Sequence, residues 1–204
     1  MPKETFYNLK DDKKQKIFAA AVQEFSSSRF NEASINQIIK HAEISRGSFY
    51  QYFNDKEDIY LYMISEIGKE KLAVINEARR LEPDADFFQA FLHMTETALT
   101  WAKAMPQYNE IGMRMAVDDS EFIMKLRALS PEGTNQLKEM ITRDQQRGLI
   151  KATIDADLVI EMILTMMLHL LIGYYRTGKY EEMFTRAKVI IDIIKNGIAA
   201  SEEG

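Results

Sequence analysis

An all-α fold of about nine helices follows from three observations. Apolar residues recur every three to four positions over long segments, no stretch alternates with period two long enough to build a sheet, and glycine and proline are scarce, 9 and 4 in 204 residues. Apolar residues make up 46% of the chain and charged residues 28%, a globular balance that excludes general disorder. The length gives one large domain or two small ones, enough to bury a core without covalent staples.

Asp12-Lys13-Lys14-Gln15 has the form of a capping box and opens the first helix. Its apolar face is Ile17, Phe18, Ala21, Val22 and Phe25, and Ser26-Ser27-Ser28 ends it. Ser34-Ile35-Asn36-Gln37 is a second box, opening a helix whose inner face is Ile35, Ile38, Ile39 and Ala42. Ser45 caps a third helix, Arg46 to Tyr52, with Phe49 and Phe53 turned inward. Asp55 caps a fourth that runs to about Arg80, and Pro83 ends that stretch. The next spans Asp86 to Ala104 and stops before Pro106, then a short helix covers Gln107 to Val117, with an irregular stretch to Leu129. Pro131 to Arg147 follows, with proline in the first turn and Gly148 just past the end. Asp157 to Thr177 and Glu181 to Ala200 close the chain. The loop Gly178-Lys179-Tyr180 is short enough to make them antiparallel neighbours.

Several function classes are excluded. With no cysteine there is no disulfide framework, thiolate metal site or cysteine nucleophile, and the composition fits a reducing cytoplasm. The start, Met1 to Phe6, lacks the apolar core of a signal peptide. The longest apolar stretch, Met162 to Tyr175, is interrupted by Thr165, His169 and Gly173 and falls short of the ~20 residues that span a bilayer. It reads as a buried helix, and no membrane partner is expected. No glycine-rich phosphate loop and no His-Glu-x-x-His motif is present, and His93-x-x-Glu96 runs in the reverse order from a di-iron pair. The expectation is therefore no enzyme, no cofactor and no metal.

Residues 34–53 carry the most information. Two short helices flank a tight turn, and the second is too short to be stable alone. It must be held through Ile44, Phe49 and Phe53, which leaves Arg46, Gly47, Ser48, Tyr50, Gln51 and Tyr52 outward. That face offers hydroxyls, a guanidinium, an amide and a glycine, an inventory suited to a DNA major groove. Arg46 and Gln51 reach base edges, hydroxyls set register on phosphates, and Gly47 allows close backbone approach. A solvated surface helix is the competing reading. Charge fits either: the net is −5 overall, yet residues 1–54 hold eight Lys/Arg against six Asp/Glu.

The segment from Phe30 to Ile59 resembles the DNA-binding signature of the TetR family of transcriptional regulators. The matching elements are Phe30, Ser34, Ile38, Ala42, Ile44-Ser45, Gly47, the aromatic run Phe49-Tyr50-x-Tyr52-Phe53, and Lys56-Glu57. Two positions depart from the usual pattern: Arg29 stands where glycine often precedes the phenylalanine, and Glu43 stands in the turn. A left-handed backbone at Glu43 would cost on the order of 1 kcal/mol. The resemblance implies a DNA-binding helix-turn-helix domain over residues 1–54. It implies a helical effector-binding and dimerisation domain over 55–204, joined by the helix from Asp55. It places Ser34, Ser45, Arg46, Gly47, Ser48, Tyr50, Gln51, Tyr52 and Lys56 at DNA; Lys3, Lys10, Lys13, Lys14 and Lys16 are candidates for a basic arm, against the reading of a solvated face. The partners implied are a palindromic double-stranded operator and a small-molecule effector.

The body agrees. Met162 to Ile172 is apolar all round, and Val189, Ile190, Ile191, Ile193, Ile194 and Ile198 cover more than one face of the last helix. One copy cannot cover both, which predicts a homodimer through the last two helices. Phe91, Trp101, Met113, Met166, His169 and Tyr174 are candidates to line an effector cavity, against plain core packing and hydrogen-bonded core histidines at 93 and 169. Tyr174, Tyr175 and Arg176 are candidates for a ligand's acidic end. The reading is a dimeric repressor released by an apolar or amphipathic effector. The alternative is a helical interaction protein whose body binds another protein, with DNA binding incidental.

Overall fold

The computed structural model describes residues 1–80, 84–128, 132–175, 177 and 179–198. Pro83, Leu129, Pro131, Arg176, Gly178 and Ala200 lie outside the described residues, as do the side chains of Arg80 and Tyr175. The order is α1 (Glu4–Tyr7), α2 (Asp11–Ser27), α3 (Ile35–His41), α4 (Arg46–Tyr52), α5 (Lys56–Arg80), α6 (Phe87–Ala104), α7 (Pro106–Val117), α8 (Glu121–Ala128), α9 (Glu132–Gln146), α10 (Ala156–Tyr175) and α11 (Tyr180–Ile198). The fold is all-α, as expected, with two helices more than the periodicity shows. α1 is a single turn, and α8 occupies the stretch read as irregular. The start of α8 is held by Asp118, which accepts from the Ser120 backbone N–H at 2.8 Å, and the helix is anchored by the fully buried Ile123. The Asp12 box does not form, since α2 starts at Asp11 without a side-chain cap. Gly148 does follow α9, in the left-handed region at φ 73°.

The chain divides into two compact units, Met1–Ala73 with Trp101–Arg127 and Val74–Thr100 with Ala128–Gly204. The first gathers Ile17, Ala21 and Phe25 of α2, which share a face by their spacing of four, with Ile38, Phe49, Phe53, Ile59, Met63 and Ile123. Its aromatic centre is dense: Phe25 meets Tyr60 edge-on at 4.9 Å, and Phe30 stacks on Phe122 at 4.5 Å. Fully burying a phenylalanine ring such as Phe25 contributes roughly 1.5–3 kcal/mol.

The second unit packs Phe87, Phe88 and Phe91 of α6 against Ile141 of α9, Ile160 and Ile163 of α10, and Ile191 of α11. Its polar node is Asp144, which is fully buried. The carboxylate accepts from the Phe87 backbone N–H at 2.6 Å and pairs with Arg143 Nε at 2.9 Å and Arg147 Nη1 at 3.2 Å. These donors replace lost water, without which a buried carboxylate would be strongly unfavourable.

α10 corrects one expectation. It is 20 residues long and is not buried within the chain. It is long and apolar enough to cross a membrane, yet only 22% of its most apolar window is covered. Val159, Ile160, Ile163 and Leu170 face the core, while Leu158, Met162, Leu164, Met166 and Leu168 are exposed. α11 repeats the pattern: Met183, Ala187, Ile191 and Ile194 are buried, and Val189 and Ile193 are exposed. The reason is geometric, because α9 and α11 cover one side of α10 and leave the rest of its surface open. His169 sits on the exposed part of α10, so it is not a core histidine.

Candidate nucleic-acid interface

α3 and α4 are joined through a tight reversal at Glu43. Ile44 N–H bonds Ile39 O at 3.2 Å and Glu43 N–H bonds Lys40 O at 3.3 Å, the paired pattern that ends a helix on a left-handed residue. Glu43 has φ 54° and is the one non-glycine residue with positive φ among the described residues. The turn is built as for glycine, with a glutamate in its place. Its carboxylate pairs with Lys16 Nζ at 2.9 Å, and that hydrogen bond, with the lysine's charge, holds the carboxyl below its ordinary pKa. The negative charge near α4 is thereby partly neutralised.

α4 opens on a true cap: the Ser48 N–H donates to Ser45 Oγ at 3.0 Å. Ser34 stands at the α3 N-terminus but makes no side-chain cap, so the second box does not form. Instead its backbone N–H donates to Glu24 Oε1 at 2.7 Å. Asp55 caps α5, accepting from Asp58 N–H at 2.9 Å.

These elements bring most of the sequence-derived residues to one surface. Ser45, Arg46, Gly47, Tyr50 and Gln51 are exposed, and Ser48 and Ser34 are half-buried. The Arg46 guanidinium lies 5.8 Å from the Tyr50 ring centre, one helical turn on. A shallow groove is lined by Glu32, Ser34, Asn36, Arg46, Tyr50 and Lys56, among others. Asn36 is a groove residue that the sequence did not single out, although an amide on the outer face of α3 was its signal. Gly47 is not required by the chain's own packing. A Cβ there would meet nothing nearer than Ser45 Oγ at 3.7 Å, so the space beside Gly47 is open.

Two residues depart from their expected setting. Tyr52 is buried at 6% exposure, three residues on from Phe49 and therefore on its inward face. Its ring meets Phe6 edge-on at 6.2 Å, and its hydroxyl accepts from Lys13 Nζ at 3.1 Å. Lys56 reaches the groove, but its ammonium donates to Asn31 O at 3.1 Å and Ala33 O at 2.9 Å and sits 4.9 Å over the Phe30 ring. Burial there pushes its pKa down, and the Glu24 carboxylate opposes the shift.

The α2–α3 turn is held from far along the chain. Asp118 accepts from the Phe30 backbone N–H at 3.2 Å, and Arg114 Nε donates to Ser26 O at 3.0 Å. Burial raises the Asp118 pKa, but the Ser120 and Phe30 donors and the Arg29 charge outweigh it and leave the carboxyl below its ordinary value. No local pattern marks Asp118. Of the basic arm, Lys3, Lys13, Lys14 and Lys16 all bond within the chain.

The effector candidates are not gathered in one place. Trp101 and Met113 are buried in the first unit and Phe91 in the core of the second, while Tyr174 is half-buried there and Met166 and His169 are exposed.

Residues 17–63 match the family described as bacterial regulatory proteins, tetR family. The chain is 24% identical over 182 residues to the uncharacterized HTH-type transcriptional regulator YdgC of Bacillus subtilis (strain 168), spanning 88% of this chain and 89% of that one. It is similar to the crystal structure of a TetR family transcriptional regulator from Chloroflexus aurantiacus J-10-FL, with TM-score 0.65 and 27% identity over 98% of this chain and 100% of that chain. FadR from Bacillus subtilis, crystallised in complex with stearoyl-CoA, matches with TM-score 0.73 and 17% identity over 91% of this chain and 99% of that chain, a likeness of fold.

Proposed function

We propose that this chain is a TetR-family DNA-binding transcriptional regulator, a dimeric repressor released from a palindromic operator by a small apolar or amphipathic effector, a reading supported by the family match over residues 17–63 and by the similar regulators. In this reading residues 1–54 read DNA, and 55–204 bind the effector and pair two copies in the cytoplasm. The observation that carries it is the exposed Arg46–Gly47–Tyr50–Gln51 face beside the Ser34–Asn36–Lys56 groove. Arg46 and Gln51 approach base edges, while Ser34, Ser45, Ser48 and Tyr50 approach the backbone; Tyr52 and Lys56, bonded within the chain, brace the motif instead.

Pairing is supported by the apolar surface that α10 and α11 leave open, with Val189 56% and Ile193 66% exposed. Covering it with a second copy contributes roughly 25 cal/mol per Å² removed from water. A two-fold pair would present its reading helices about 34–36 Å apart, or somewhat more, which selects a palindrome. The effector is assigned to the 55–204 body, where Phe91, Trp101, Met113, Met166, His169 and Tyr174 stand as separate candidates and line no common pocket among the described residues. The stearoyl-CoA held by B. subtilis FadR is amphipathic, the class proposed here. An effector acts only through its unequal affinity for the DNA-competent and released states.

The test is selection of duplexes from a random pool by the full chain, with sedimentation of the complex. Two copies on a palindromic duplex are expected. Arg46→Ala should flatten sequence preference at one position per half-site. An Arg46 variant that ranks the selected duplexes as the wild type does refutes base reading by this helix.

A further inference from the structure

The last carbonyls of any helix lack intrahelical donors, and a seven-residue helix has few bonds to spare. α4 has no glycine cap and no basic residue in its last turn; its C-cap, Phe53, is extended at φ −132°. Its end is nevertheless complete. Lys3 Nζ donates to Tyr50 O at 2.8 Å, Thr5 Oγ1 donates to Gln51 O, and the Lys3 backbone N–H donates to Tyr52 O at 2.8 Å. Three successive orphan acceptors are met by one short segment about 47 residues earlier in the chain. The segment is itself anchored: Phe6 is 1% exposed, with ring centres 5.1 Å from Phe53 and 4.8 Å from Tyr62. The Lys3 ammonium also lies at the negative end of the α4 dipole, where a cation is favourable.

We propose that residues 3–6 are a positioning clamp for DNA reading, completing the C-terminal end of α4 and fixing the residues that carry Tyr50 and Gln51, with Lys3 turned to the helix and away from phosphate. This rests on the reading that α4 contacts DNA. The carbonyls the clamp holds belong to Tyr50 and Gln51 themselves, so fraying at this end displaces those side chains first. Arg46 and Ser48, at the end capped by Ser45, stay in place.

The test uses the full chain, a duplex selected by the wild type, and three variants: Thr5→Val, Thr5→Ser, and Lys3→Met with Thr5→Val. Hydrogen exchange at the amides of residues 50–53 should quicken in Thr5→Val and more in the double variant. Exchange in α2 should be unchanged, and Thr5→Ser should restore the wild-type pattern. DNA affinity of the double variant should fall about tenfold, the size expected for losing one or two hydrogen bonds. The slope of log K against log salt should be unchanged. A slope reduced by about 0.9 overturns the clamp, since Lys3 would then be a phosphate contact. Unchanged exchange at 50–53 overturns it directly, and so does a loss of affinity that Thr5→Ser fails to restore. If the wild type selects no duplex, the DNA reading falls, and the exchange pattern still decides whether the clamp exists.

Discussion

Replacing Gly47 by alanine separates what the chain requires from what its partner requires. Gly47 is the second residue of α4, its backbone is not left-handed, and an added Cβ would meet only Ser45 Oγ at the ordinary distance of 3.7 Å. For the free protein the change is therefore favourable. Alanine exceeds glycine by about 1 kcal/mol in a helix interior, and about half that is expected near a helix end. At roughly 2–4 °C per kcal/mol for a chain of this size, the melting temperature should rise by about 1–2 °C. On DNA the sign reverses. If α4 approaches the duplex through the backbone at Gly47, the methyl group displaces it and breaks a charge-assisted contact of about 1.5–3 kcal/mol. Affinity should fall roughly ten- to 150-fold. Thermal melting and anisotropy titration of a labelled, selected duplex read the two effects. Wild-type affinity in a stabilised variant would refute close backbone approach, and a lowered melting temperature would refute the open space around Gly47.

Glu43→Gly should relieve the left-handed backbone at φ 54° and raise the melting temperature by roughly 2 °C, with the Lys16→Ala background showing how much the lost ion pair subtracts. A fall in both backgrounds would mean that the turn is not strained. Asp144→Ala leaves the Phe87 N–H without its acceptor in the core and takes the carboxylate from two partly exposed arginines, and should lower the unfolding free energy by about 1–3 kcal/mol in urea melts. Asp144→Asn should lie between the two, because it keeps an acceptor without the charge. For Asp118 the folded pKa lies below the unfolded value of about 3.9, so its stabilisation is full above that pH and disappears as pH falls through the folded pKa. The stability gap between wild type and Asp118→Asn should shrink between about pH 5 and pH 3, and a gap that widens would reverse the assignment.

Local chemistry was readable where one turn of chain decides the outcome. Ser45 and Asp55 cap their helices, Gly148 ends α9, and Glu43 takes the left-handed conformation its place in the turn requires. The same local rules fail where a distant group competes. Glu24 occupies the Ser34 N–H, and Lys16, a candidate for the basic arm, is bound to Glu43. Tyr52 was legible and misplaced: its spacing from Phe49 marks an inward face, and its hydroxyl suggested an outward one.

By itself the sequence determined the helical class, the two-helix reading motif and the apolar excess of the last two helices. Those properties depend on periodicity and composition within a few turns. Tertiary structure alone decided that Asp118 steadies Phe30, that Lys3 and Thr5 complete α4, and which sides of α10 and α11 stay bare. A hydrogen bond between residues 46 or 88 positions apart leaves no pattern in either segment, because its geometry exists only after the core has packed.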